Sequence, residues 1–251
     1  MKSEVKEFLI SSAGRNENES FLENDPSQFM HKVNGERNRE ATAFVAAGLS
    51  FGSRKQFLPK IALILELSDG NVDRWVREGL FESSFPAGST VSFYRFFSEG
   101  TMNAFFRTYR DILIAYGSLG ECLKKNGVCD GFAAVEKIVG LFSGCAGEYS
   151  VVPKNPRSAC KRVCMFLRWM VRDGSCVDLG LWSDFISKKT LVVPLDTHVL
   201  AQAKKLGLLK TKAASMSTAE KLTEKLKEVF PCDPLKADFA LFGNGVSSGG
   251  D

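Results

Sequence analysis

Two residues far apart in the chain have the types needed for covalent chemistry on a sugar. Lys161 lies in "VVPKNPRSACKRVCMFLRWMVRDG" and Asp196 in "TLVVPLDTHVLAQAKKLGL". In the first segment Asn155 and Pro156 form a turn, Ser158 is the expected N-cap and Gly174 the stop, which puts Lys161 at the third helical position. The positive end of the helix and the neighbouring Arg157 and Arg162 favour a neutral, nucleophilic amine there. In the second segment Asp196 is the expected N-cap of a helix with apolar residues at 199, 200, 203 and 206 and a stop at Gly207. Capping alone accounts for an aspartate at that position. It does not account for the rigid apolar run, Leu191 to Leu195 with Pro194, that delivers it. An amine and a fixed carboxylate suit attack at a sugar anomeric carbon. The carboxylate stabilises positive charge developing on the sugar, and the amine displaces the base to give a Schiff base. Cap and catalyst are compatible roles.

The elements that must position this pair are helical. "NREATAFVAAGLSF" sets Ala41, Phe44, Val45 and Leu49 near one face. "SRKQFLPKIALILEL" predicts a helix capped by Ser53 with Pro59 near its first turns, and "SDGNVDRWVREGLF" a short capped helix ending at Gly79. The aromatic stretch "VSFYRFFSEGTMNAFFRTYRDILIAYG" predicts two helices broken near Gly100. Further helices are expected at 118–126, 131–143, 158–173, 196–206, 217–229 and 233–242, with a frayed tail "GNGVSSGGD". Leu191 to Val193 is the one convincing strand-like run. The fold class expected is all-α.

The chain has 251 residues, of which 44% are hydrophobic and 25% charged, the composition of a globular protein. No apolar stretch approaches a bilayer span, and "MKSEVKEFLI" has acids where a signal peptide needs an apolar core, so the expected location is cytoplasmic with no membrane partner. Seven cysteines without a CxxC read as reduced, mostly buried thiols. With only His31 and His198 in the chain, no metal site is expected. The net charge is a mild +4, but Lys154, Arg157, Lys161, Arg162, Arg168 and Arg172 follow one another without an intervening acid. Such a concentration of one sign is the footprint of a nucleic-acid surface, or else a solvated helix face.

"PLDTHVLAQAKKLGL" resembles the Asp-Thr-His segment of the helix-hairpin-helix DNA glycosylases, the endonuclease three superfamily. From "REATAFVAAGLSFGSRKQ" through "ACKRVCMFLRWMVRDG" and "VDLGLW" to "DPLKADFALFG", the chain is similar to an uncharacterised bacterial protein family distantly related to them. Archaeal 8-oxoguanine glycosylases are the branch closest in pattern. The resemblance implies two interlocked helical domains with a cleft between them. Residues 38–190 would form the central domain carrying the hairpin and Lys161, and 1–37 with 191–251 the second, carrying Asp196. It makes Lys161 the Schiff-base lysine and Asp196 the essential carboxylate. Met165, Arg168, Asp238 and Phe242 would line the base pocket, since a flipped purine needs a stacking face and hydrogen-bonding edges. DNA would lie along Lys154, Arg157, Ser158, Arg162 and Arg172.

The implied activity is that of a monomeric DNA glycosylase with abasic-site lyase activity, acting on double-stranded DNA with an oxidised base such as 8-oxoguanine. The alternative is a non-catalytic helical DNA- or RNA-binding protein. The pattern departs from the superfamily in three ways. "VPKNPRSACK" has no glycine with which to approach a phosphate, so Ser158, Arg157 and the helix N-terminus must supply that grip. The separation between Lys161 and Asp196 is long for most members. Cys232 stands alone after Asp196, which excludes an iron–sulfur cluster and leaves no cofactor implied. "SACK" also matches the S-x-x-K of penicillin-recognising enzymes, but the companion S-D-N and K-T-G elements are missing.

Overall fold

A computed structural model describes residues 1–145, 149–211 and 213–248. The chain is mostly helical, and it divides into two compact units, one formed by 1–23, 129–135 and 155–251 and the other by 24–128 and 136–154. The division places 155–190 together with 191–251, where the sequence expectation drew a boundary between 190 and 191. The reason is the buried charge on the helix after Lys161, whose partners come from both ends of the chain.

In the unit built on 24–128 and 136–154, helices α2 (Gln28–His31), α3 (Glu36–Leu49), α4 (Arg54–Leu67) and α5 (Val72–Arg77) precede a two-stranded antiparallel hairpin, β1 (Ser92–Tyr94) and β2 (Phe97–Ser98). Helices α6 (Glu99–Tyr116) and α7 (Leu119–Lys125) follow, and α8 (Gly131–Phe142) lies in this unit from Glu136 onward. Helix α3 is buried on nearly every side, which its alanines and Gly48 permit. A Cβ at Gly48 would stand 2.7 Å from Val151 Cγ1. Phe44, Phe105, Tyr109 and Phe142 form an aromatic cluster that continues through the Phe105–Phe106 contact to Trp75, Phe81 and Phe85. Glu40, 4% exposed, accepts from the Leu119 and Gly120 amides at the start of α7, where helix-end N–H groups offset the burial of its charge.

The helix expected from Val91 is instead the hairpin. Phe93, Tyr94 and Phe97 bury while Ser92, Arg95 and Phe96 are exposed, and α6 begins only at Glu99, capped by Ser98. Gly100 is a point of close approach rather than a break, since a Cβ there would meet the Ser89 carbonyl oxygen at 2.6 Å.

In the other unit, α1 (Ser3–Asn16) packs on α12 (Lys236–Ser248), and α10 (Thr197–Lys205) packs on α12 as well. Helices α9 (Lys161–Val171) and α11 (Met216–Leu226) complete it with the first turn of α8. The strand-like run Leu191–Val193 is not part of a strand. Its residues are buried and extended, but the Val193 amide donates to Thr223 Oγ1 at 3.0 Å, so a side chain satisfies the backbone without a neighbouring strand. The tail expected to fray is helical through Ser248, and 249–251 lie outside the described residues.

Among the described residues no helix is long and apolar enough to cross a membrane. All seven thiols are free, and the expectation of mostly buried cysteines is corrected. Cys122, Cys160 and Cys164 are buried, Cys145 is half-buried, and Cys129, Cys176 and Cys232 are exposed.

Gly131 admits the run that leads to Asp196. Its amide donates to Thr190 Oγ1 at 2.8 Å, and a Cβ there would lie 2.6 Å from the Thr190 carbonyl oxygen and 2.8 Å from Leu191 Cα. Both clashes are with backbone, so Gly131→Ala is expected to destabilise the protein by about 1–3 kcal/mol, despite alanine's better helix propensity. Chemical denaturation checks this; an unchanged midpoint would mean that the run is not wedged against α8.

Candidate active site: Lys161 and Asp196

The loop before α9 is wound around Asn155. The Asn155 side chain accepts from the Arg157 amide at 2.9 Å, and its carbonyl accepts from the Ser158 amide at 3.1 Å and the Ser158 hydroxyl at 2.7 Å. Ser158 forms an antiparallel bridge with Ser215, and the Met216 amide donates to the Arg157 carbonyl at 3.1 Å, which ties the loop to the start of α11. Ser158 is therefore not the N-cap. Cys160 occupies that position with a left-handed backbone (φ 43°), makes no side-chain cap, and leaves Lys161 as the first residue of α9. The helix stops at Val171, three residues before Gly174.

Asp196 is the N-cap of α10, as its sequence context indicates, with Oδ1 accepting from the Val199 amide at 2.8 Å. Its other oxygen, Oδ2, stands 3.8 Å from Lys161 Nζ. That is an ion-pair distance, too long for a direct hydrogen bond. The two side chains are 28% and 19% exposed, so a reacting molecule can reach the pair while the surroundings keep part of the water away. One carboxylate thus performs two tasks with separate atoms: Oδ1 holds the helix and Oδ2 faces the amine.

Further along α9 the basic run changes character. Arg168, 3% exposed, donates from Nε to Asp178 at 3.2 Å and from Nη1 to Asp238 at 2.5 Å. Arg172, 2% exposed, pairs with Asp178, with Glu17 at 2.9 Å and with Asp233 through two bonds of 2.8 Å. Both guanidinium groups lie over the Phe239 ring, at 4.7 and 5.3 Å from its centroid. Burial raises the pKa of Asp178 and of Asp238, against the lowering influence of the arginines. Burial opposes the charge on Arg172, but the hydrogen bond to Asp233 and the charges of Asp178, Asp233 and Glu17 outweigh it and raise its pKa.

The expectation that Arg172 contacts DNA is corrected: a guanidinium buried among three carboxylates is not presented to a phosphate. The absence of acids within the basic run reflects partners supplied from Glu17, Asp178, Asp233 and Asp238. Of the expected base pocket, Arg168 and Asp238 come together as a buried pair, and Met165, on the same helix, is 8% exposed. Phe242 is half-buried with its ring 6.2 Å from that of Phe21, and Phe239 is the aromatic against the arginines. Of the expected DNA contacts, Arg157 and Ser158 are exposed and Arg162 half-buried, while the exposed Lys154 ends the other unit. His198 is exposed in the first turn of α10. Among the described residues no group of three or more His, Cys, Asp or Glu side chains is placed to hold a metal ion.

The residues that sequence reasoning missed are Glu17, Asp178, Asp233 and Phe239. The signal available was indirect: Arg168 and Arg172, four residues apart and flanked by Phe166, Leu167, Trp169, Met170 and Val171, require buried counter-charges from elsewhere.

The chain belongs to the family described as protein of unknown function (DUF2400), which matches residues 25–247. No curated protein and no solved structure matches the chain.

Two substitutions separate these roles. Asp196→Asn keeps an N-cap acceptor and is expected to leave stability within a few tenths of a kcal/mol, whereas Asp196→Ala costs about 1 kcal/mol. Thermal unfolding of the two variants tests whether cap and charge are separable. Arg172→Met strands three carboxylates and is expected to destabilise by about 3–5 kcal/mol. A normal denaturation midpoint for Arg172→Met, with weakened DNA binding, would return Arg172 to the surface role.

Proposed function

We propose that this protein is a DNA glycosylase with abasic-site lyase activity, acting on duplex DNA that carries an oxidised base, with 8-oxoguanine the favoured substrate. The observation that carries the reading is the meeting of Lys161 Nζ and Asp196 Oδ2 at 3.8 Å from segments distant in sequence. The resemblance to the helix-hairpin-helix glycosylases made the same two residues the nucleophile and the carboxylate. In that reading the loop 155–160 and the start of α9 form the second half of the hairpin element.

The chemistry follows from the two groups. The Lys161 nitrogen attacks C1′ of the damaged nucleotide through its lone pair as the C1′–N bond breaks and the base departs with the bonding electrons. Positive charge developing on the sugar is stabilised by Asp196 Oδ2, whose hold on a cation is stronger for being part-shielded from water. One amine proton goes to the departing base and the other to O4′ as the sugar ring opens, leaving a Schiff base between Lys161 and C1′. Loss of a C2′ proton then expels the 3′ phosphate, and water releases the lysine. Arg157, Arg162, Ser158 and Lys154 are assigned to the DNA backbone. Met165, Phe242 and the Arg168–Asp238 pair are assigned to the side of the base.

Borohydride reduction tests the reading. Wild-type protein is expected to give a covalent adduct with duplexes carrying an abasic site or 8-oxoguanine, and Lys161→Gln none. Asp196→Asn is expected to slow base excision by about a hundredfold while still trapping a preformed abasic site. Salt-dependent duplex binding without an adduct on any lesion would instead mark a non-catalytic nucleic-acid-binding protein.

A further inference from the structure

Breaking the strand in the proposed reaction requires more than the amine and the carboxylate. A base must take a proton from C2′, the carbon next to C1′, so it must stand beside the Lys161–Asp196 pair. Most groups there that could accept a proton are committed elsewhere. Asp196 holds the Val199 amide with Oδ1 and faces Lys161 with Oδ2. Asp178 and Asp238 are buried against Arg168. The Cys160 thiol, 2% exposed, turns into its own loop, 3.3 Å from the Ser158 hydroxyl and 3.5 Å from the Asn155 carbonyl, and burial pushes its pKa up.

His198 has no such commitment. It is the second residue of α10, two beyond the N-cap Asp196 and so about 3 Å farther along the helix axis. Among the described residues its side chain makes no hydrogen bond, ion pair or ring contact. It is exposed, and Ala201, its neighbour on the next turn, is exposed too and is too short to cover the ring. Val199, Leu200 and Ala203 turn into the fold, so the open edge of α10 begins at the pair and carries Thr197, His198 and Ala201. Imidazole is the side-chain group best suited to accepting a proton near neutral pH. An ordinary surface histidine fits any exposed position, whereas this one occupies the first turn of the helix that Asp196 caps.

We propose that His198 is the base that removes the C2′ proton in strand cleavage. The assignment rests on the glycosylase and lyase reading of the Lys161–Asp196 pair. The Schiff base at C1′ makes the C2′ proton acidic. An imidazole nitrogen of His198 takes that proton, and the C–H electron pair becomes the C2′=C3′ bond. The C3′–O bond breaks as it forms, and the phosphate leaves with the bonding pair. The imidazolium then passes its proton to water, which restores the neutral ring.

The test uses the full chain and a duplex with a preformed abasic site, with borohydride trapping and strand nicking measured separately. His198→Ala is expected to form the adduct at a rate within about twofold of wild type but to nick about a hundredfold more slowly. Imidazole added to the buffer is expected to restore nicking by His198→Ala, since an exposed side chain leaves its place open to solvent, and to do nothing for Lys161→Gln. His198→Gln can still bond a phosphate but cannot carry the proton, and it should nick as slowly as His198→Ala. Thermal unfolding of both variants should match wild type. Nicking at the wild-type rate by either variant, or equal loss of adduct and nicking with no rescue by imidazole, would overturn the role of His198 and leave the glycosylase reading in place. Absence of an adduct with the wild type would overturn both.

Discussion

Two arginines, Arg168 in α9 and Arg172 at its C-terminal end, are buried among four carboxylates and hold the candidate site in place. Arg168 and Arg172 each lose nearly all contact with water, and such burial is tolerable only where counter-charges and hydrogen bonds replace the lost hydration. Those partners are Glu17 after α1, Asp178 in the loop after α9, Asp233 before α12 and Asp238 within it. A greasy contact would let α9 slide or rotate by part of a turn at little cost. An arginine fork matched to several carboxylates does not, because each pairing has a required direction. Lys161, at the opposite end of the same helix, inherits that orientation.

Asp196 is held by different means. The run before it is apolar and buried, wedged against the first turn of α8 where only a glycine fits and bonded by Thr223 from α11. Its own Oδ1 is committed to the Val199 amide, so the carboxylate cannot turn freely and Oδ2 is left toward the amine. The pair is therefore pre-aligned by two independent devices, a charge network behind the lysine and a packed strap behind the aspartate. For the proposed reaction, groups that need no rearrangement when charge appears are an advantage.

The hairpin at 92–98 follows another logic. Phe93, Tyr94 and Phe97 turn inward, while Ser92 and the turn residues Arg95 and Phe96 stay outside. The two-residue turn between the strands puts an aromatic ring at the tip. In the sequence the stretch reads as one amphipathic aromatic segment, since helix and strand periods are hard to tell apart over a few residues.

Much of the helical layout was legible in the amino-acid sequence, because it rests on local rules: Asn71, Ser118 and Asp196 cap the helices that follow them, and Gly79 and Gly207 take the left-handed backbone expected at helix ends. The amine and the carboxylate were legible too, by residue type and context. What the sequence could not show was which basic residues face solvent. Arg157 and Arg172 look alike in a run of positive charge, yet one is exposed and the other is locked among carboxylates drawn from positions 17, 178 and 233. Ser158 likewise looked like a cap until its bridge to Ser215 placed the helix start beyond it. Caps and turns depend on neighbours within a few residues. The fate of a charge depends on what the folded chain brings beside it, and only the tertiary structure decides that.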